Sequence, residues 1–265
     1  MVLNSTDNLI ISSFVGLTAV AINDNYVLIT SAINTIMNQI FNALTASVGN
    51  LIVTEKLENT YNILKILQFA AFWVYSFCVT CLFLLLNPFI ELVWGEEYLF
   101  PLPIVAIICL NFYVVGMRRI PLVFRDAMGL FRHDQYKPLI EAVVNLVISI
   151  IAVHFLGVAG VFIGTFLSII SVAVWVETYV LFKHGFKRSW REFWITILKY
   201  YFFSFLTVTL SYFAGTLYHG GFIYEFIYKI IICIILPNIL FLLLFHRCKE
   251  FKELLSSIHI KELFH

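Results

Sequence analysis

The chain has 265 residues, 61% hydrophobic and 12% charged, with a net charge of +1 and a mean hydropathy of +0.93. Soluble domains carry about 25% charged residues and keep much of their side-chain surface in water, so this composition excludes a water-soluble fold. The near-zero net charge lacks the basic excess of a nucleic-acid-binding protein, and no nucleic-acid partner is expected.

A membrane-crossing helix needs about 20 mainly apolar residues. By that measure the sequence predicts an all-α polytopic bundle of about eight helices. The first segment, Leu9–Ala21, is several residues short, and the polar run Asn4–Asn8 before it is unlike the basic start of a signal peptide. The second is Tyr26–Val48, with many polar residues. The third, Ile66–Leu86, is expected to end at Asn87-Pro88. The fourth is Phe100–Met117, the fifth Leu139–Leu156, the sixth Val158–Phe182 and the seventh Tyr200–Leu217. The eighth is Phe222–Phe245, with Pro237 as an expected kink. No connection exceeds about 20 residues, too few for an extramembrane catalytic domain.

Basic residues alternate with the connections. Lys56 and Lys65 flank the second-to-third; Arg118, Arg119, Arg125, Arg132 and Lys137 fill the fourth-to-fifth; Lys183, Lys187, Arg188, Arg191 and Lys199 fill the sixth-to-seventh; Arg247, Lys249, Lys252 and Lys261 follow the eighth. The intervening connections carry Asp24, then Glu91, Glu96 and Glu97, then His154, then His219. The positive-inside rule then places both termini in the cytoplasm. Lys229 breaks the pattern, and Glu225, four residues earlier, is its expected partner.

Polar residues inside such helices are costly and face the bundle interior or a wet cavity. In the second segment Tyr26, Thr30, Asn34, Asn38, Asn42 and Thr45 form one slowly rotating stripe. It serves either interhelical hydrogen bonding, worth roughly 0.6 kcal/mol per contact, or a hydrated cavity wall. Glu141, Asn145 and Ser149 repeat the spacing in the fifth segment, and Asn111, Arg118 and Arg125 align if the fourth helix passes Pro121. Arg118 and Arg119 are either interfacial anchors or forked donors to an anion such as a diphosphate. Glu177 either pairs with a nearby Lys or Arg or takes part in cation coupling.

Gly160 and Gly164 are spaced for close packing of a helical hairpin. Cys78 and Cys81 have CxxC spacing, but inside an apolar run they read as packing residues. His133-Asp134 reads as a solvated turn. No nucleophile, metal or phosphate-loop motif is present, so neither enzymatic activity, nor a metal, nor a cofactor is expected.

Several stretches, taken in order, resemble the second half of bacterial polysaccharide flippases, the Wzx-type O-antigen and capsule transporters. They are Ser5 through Val20 with Asn25-Tyr26 and Ser47-Val-Gly-Asn50; Pro88 through Gly95; Ala127 through Phe131 with Tyr136-Lys137-Pro138; Asn145 through Ser149; and Gly157 through Thr165. The resemblance covers residues 5 to about 185. It implies membership of the multidrug/oligosaccharidyl-lipid/polysaccharide exporter superfamily, whose members have two six-helix lobes around a cavity. Residues 1–182 would form the second lobe, with its first helix truncated, and residues 183–265 two additional helices and a tail. The implied activity is transfer of a lipid-diphosphate-linked oligosaccharide across the bacterial cytoplasmic membrane. The implied partners are the bilayer, that lipid-linked oligosaccharide and a first lobe on another chain. In the family the seventh helix starts well before the Ser5 stretch, so the chain is expected to be a fragment, inactive alone.

The cavity residues expected on this reading are Asn34, Asn38, Asn42, Asn111, Arg118, Arg119, Arg125, Glu141, Asn145 and Glu177. The sequence leaves open a small-molecule or drug exporter, and a membrane polymerase or acyltransferase of polysaccharide assembly.

Overall fold

The structure is a computed structural model that describes the backbone of residues 2–262 and the side chains of residues 6–256. The side chains of Asn4, Ser5 and Lys261, which enter the sequence reading, lie outside the described residues. Helices α1 (Val2–Phe14), α2 (Leu17–Thr54) and α3 (Leu57–Trp94) are followed by α4 (Leu102–Met117) and α5 (Arg119–Ala127). The hairpin α6 (Lys137–Leu156) and α7 (Val158–Ser168) comes next, and a π turn (Ile169–Ala173), α8 (Val174–Val180) and a second π turn (Leu181–Phe186) continue α7. Then come α9 (Arg191–Gly215), α10 (Phe222–Phe245) and α11 (Lys249–Glu262).

Among the described residues, 7 helical stretches are long and apolar enough to cross a membrane: α2, α3, α4–α5, α6, α7 through Phe186, α9 and α10. The 13-residue α1 is not one of them. Helix α6 shows which solvent the bundle is built for. Its polar stripe is inside, with Glu141 8%, Asn145 1% and Ser149 0% exposed, while Leu139, Val143, Val147, Ile151 and Phe155 are all more than half exposed. Helix α9 likewise buries Ser204, Thr207 and Ser211 and exposes Phe202, Phe205 and Phe213. A protein that meets water sorts these residues the other way, so this is a multi-pass membrane protein.

Helix α3 is the central post. It packs against α2, α4, α5, α9, α10 and α11. A buried polar knot pins α9 to it: Ser76 and Ser204 hydrogen-bond each other, and Ser204 Oγ donates to the Tyr113 hydroxyl at 2.6 Å. On the other side α6 and α7 pack as a hairpin, and α7 meets α4. The expected Glu225–Lys229 pair is present at 4.0 Å.

Three element boundaries differ from the sequence expectation. The first segment, expected as Leu9–Ala21, is broken at Gly16, whose φ of 124° suits only glycine. Helix α2 then runs straight through Asp24 and Asn25, which were expected in a loop. The polarity of Asn23 and Asp24 is met between helices: Asn23 Nδ2 donates to Asn8 Oδ1 at 2.8 Å, and Asn8 Nδ2 to Asp24 Oδ1 at 3.0 Å.

The third segment was expected to stop at Asn87-Pro88, but α3 continues to Trp94. Asn87 accepts from the Tyr26 hydroxyl at 2.6 Å and donates to the Phe100 carbonyl at 3.0 Å. The Phe100 N–H donates back to Tyr26 at 2.8 Å. This ring of bonds ties α2 and the α3–α4 link to α3 at the proline.

Arg119 and Arg125 lie on a helix, and Arg118 is the turn residue before it, not part of an extended loop. The chain turns at Arg118 and resumes as α5. Pro121 has no N–H to give the Met117 carbonyl four residues earlier. Gln68, buried on α3, supplies it, its Nε2 donating to Met117 O at 3.1 Å.

The close α6–α7 hairpin depends on its glycines. A Cβ at Gly160 would lie 2.4 Å from the Ala152 backbone, and one at Gly164 2.1 Å from Ser149 Oγ. Gly160→Ala and Gly164→Ala are each expected to cost about 1–3 kcal/mol through overpacking. Gly49→Ala, whose Cβ would meet nothing within 4 Å, should be neutral or stabilising. Heat-induced loss of monodisperse protein in detergent measures the difference; equal stability of all three would contradict this packing.

Candidate functional site

A cleft of about 1000 Å³ lies within the bundle. Helix α2 supplies one wall through Asn23, Tyr26, Thr30, Asn34 and Asn38; α1 adds Asp7, α4–α5 add Asn111, Arg118 and Arg119, α6 adds Glu141 and α7 adds Thr165. The polar stripe of α2 therefore faces the other helices of the same bundle across open space.

Of the residues singled out in the sequence, Asn34, Asn38, Asn111, Arg118, Arg119 and Glu141 line this cleft. The remaining candidates lie elsewhere. Asn42 is exposed beyond the cleft wall. Arg125 pairs with Asp134 at 2.5 Å and Asp126 at 2.6 Å. Asn145 donates to the Thr165 hydroxyl at 2.9 Å, holding α6 against α7. Glu177 is 2% exposed behind the cleft wall and serves as an ion-pair partner.

Glu177 centres a buried charge cluster. Arg118 forks onto it, with Nε to Oε2 at 2.9 Å and Nη2 to Oε1 at 2.6 Å. Lys137 Nζ donates to the same Glu177 Oε1. Glu141 completes the group at 3.7 Å from Arg118 and 3.6 Å from Lys137. Two cations thus neutralise two carboxylates, and the cluster locks α4–α5, α6 and α8 together. The π turns on either side of α8 shift the register that brings Glu177 to this position.

Arg119 is different. It lines the cleft beside the Tyr75 hydroxyl, and among the described residues no carboxylate lies within ion-pair distance of it.

Several acceptors in the cleft wall are also unanswered. Asp7 Oδ1, Asn23 Oδ1, Asn38 Oδ1 and Asn111 Oδ1 are buried, with no hydrogen-bond partner within the protein. Buried acceptors normally have donors, so four orphans on one cleft call for water or a hydroxyl-bearing molecule. Asp7 lies beside the Thr165 hydroxyl. Among the described residues no three His, Cys, Asp or Glu side chains are grouped to hold a metal.

The sequence reading missed Asp7, Asn23 and Thr165, and placed Lys137 in a loop. Asp7 and Asn23 carried a signal: each is a polar residue within reach of an apolar helical run. Thr165 had none beyond its place one residue after Gly164.

The fold and cleft define a polytopic all-α membrane protein with a polar internal cleft that carries an unopposed guanidinium. No protein-family model, curated protein or solved structure matches the chain.

Removing one partner of a buried charge group strands the others, at a cost of about 3–5 kcal/mol. Glu177→Gln is expected to lose about that much, because it leaves Arg118 and Lys137 only the longer Glu141 contacts and one positive charge uncompensated. Glu141→Gln, which breaks only the 3.6 and 3.7 Å contacts, should lose less. Thermal melts of the purified variants decide this; a Glu141→Gln loss equal to or larger than that of Glu177→Gln would contradict the assignment.

Proposed function

We propose that the chain takes part in moving a lipid-diphosphate-linked oligosaccharide across the bacterial cytoplasmic membrane, with both termini on the cytoplasmic side. The observation that carries this reading is the pairing, in one cleft, of an unopposed Arg119 with four orphan acceptor oxygens. A diphosphate offers oxygens for a forked guanidinium. Sugar hydroxyls offer the donors that the Asp7, Asn23, Asn38 and Asn111 oxygens lack. The ordered flippase-like stretches support the same chemistry, and the basic ends of the helices support the orientation.

Arg118 has a different role on this reading. Its fork is occupied by Glu177, so it positions the α4–α5 turn that aims Arg119 into the cleft. A drug exporter of the same superfamily would favour cations or neutral apolar molecules, which the Arg119 guanidinium does not select.

The chain in lipid nanodiscs is expected to bind a polyprenyl-diphosphate-linked oligosaccharide in preference to the free polyprenol. Arg119→Gln should weaken that binding about tenfold or more, the worth of a charge-assisted hydrogen bond. Asn38→Leu should weaken it less and leave a sugar-free polyprenyl diphosphate unaffected. Equal affinity for the polyprenol, or no effect of Arg119→Gln, would overturn the reading.

A further inference from the structure

A second groove lies apart from the cleft and shares no lining residue with it. It holds about 500 Å³ between α8, the second π turn and the start of α9, with Trp175, Trp190, Trp194, Tyr179, His133 and His184 among its walls. Trp175 is 47% and Trp190 38% exposed, so the groove is open at the surface. The Trp175 and Trp194 rings stack at 4.7 Å, with Trp190 edge-on at 6.1 Å. The His133 and His184 rings stack at 4.1 Å. Lys183 hydrogen-bonds the Tyr179 hydroxyl and sits 4.8 Å from that ring's centroid.

The position and charge of this groove select its occupant. It sits at the end of a membrane span where Lys183, Lys187, Arg188 and Arg191 follow one another in sequence, the depth at which tryptophan meets the headgroup layer. No carboxylate lines it. Glu177, on the same helix, is turned inward to Arg118 and Lys137, and Asp134, next to His133, is held by Arg125. Trp194 Nε1 is buried without a hydrogen-bond partner, a donor with no acceptor in the protein.

We propose that this groove binds one anionic phospholipid, its acyl chain along the Trp175–Trp194 stack and its phosphate facing Lys183 and His184. An apolar slot with a lysine ammonium and an imidazole at its rim complements a lipid phosphate joined to a hydrocarbon tail. Such a lipid would clamp α8 to α9.

Native mass spectrometry of the purified chain, titrated with phosphatidylglycerol or phosphatidylcholine, tests this. The expected result is retention of one phosphatidylglycerol with higher affinity than phosphatidylcholine. Lys183→Gln, at an exposed position, should weaken phosphatidylglycerol about fivefold and leave phosphatidylcholine unchanged. Trp175→Ala should weaken both. Inorganic phosphate alone should not displace the lipid. Equal affinity for the two lipids, a preference untouched by Lys183→Gln, or displacement by inorganic phosphate would each overturn the proposal. A measurement on the unaltered protein guards against misfolded variants: brominated phosphatidylglycerol should quench tryptophan fluorescence more than brominated phosphatidylcholine, and equal quenching would overturn the assignment.

Discussion

The Arg118–Glu177 ion pair is the contact on which the arrangement of this bundle turns. A lone charge within a membrane helix is expensive, so each of these residues can sit inside only because the other does. Meeting that demand fixes several features together. Helix α4 must break at Arg118, which Pro121 brings about and Gln68 makes tolerable. Glu177 must come round to face it, which the π turns on either side of α8 allow. Lys137 and Glu141 join from α6 and bring the charge sum of the cluster to zero. Four parts of the chain are thereby held to one point, and the neighbouring Arg119 is left facing the cleft with its charge uncompensated.

The same economy separates structural polarity from functional polarity. Ser76, Ser204 and Tyr113 satisfy one another and bind α9 to the core. Tyr26, Asn87 and Phe100 do so at the proline of α3. Each is a closed set, which is how a membrane bundle uses hydrogen bonds for packing. The cleft wall is an open set, with buried acceptors on four residues and a cation on a fifth that the protein leaves unanswered. The function proposed for the chain rests on this chemistry and on the ordered flippase-like stretches. On the proposed reading, both point to a ligand rich in hydroxyls and carrying phosphate.

Much of the fold could be read in the sequence, because the spacing of polar residues in apolar helices reports which face is inside. Glu141, Asn145 and Ser149 were found that way, as were the Gly160 and Gly164 contact and the Glu225–Lys229 pair. Other features rest on partners too distant in sequence to see. Asn87-Pro88 looks like a helix end until Tyr26 and Phe100 close around it. Asp24 looks like a loop until Asn8 binds it. Which of the adjacent Arg118 and Arg119 is paired was undecidable, since the partner, Glu177, is 59 residues away in sequence. The case of Asn42 is purely geometric. Each step of four residues overshoots a helical turn by about 40°, so a stripe begun at Tyr26 has rotated by roughly 160° at Asn42 and has left the cleft.

The central physical claim is that this bundle is turned inside out, with hydrocarbon outside and a wet polar cleft within. Single cysteines placed in a cysteine-free chain, in intact membranes, test it directly against a water-soluble maleimide. Asn34→Cys, Asn38→Cys and Asn111→Cys should react, whereas Val143→Cys, Val147→Cys and Ile151→Cys on the outer face of α6 should not. Labelling of the α6 set with protection of the cleft set would contradict the account.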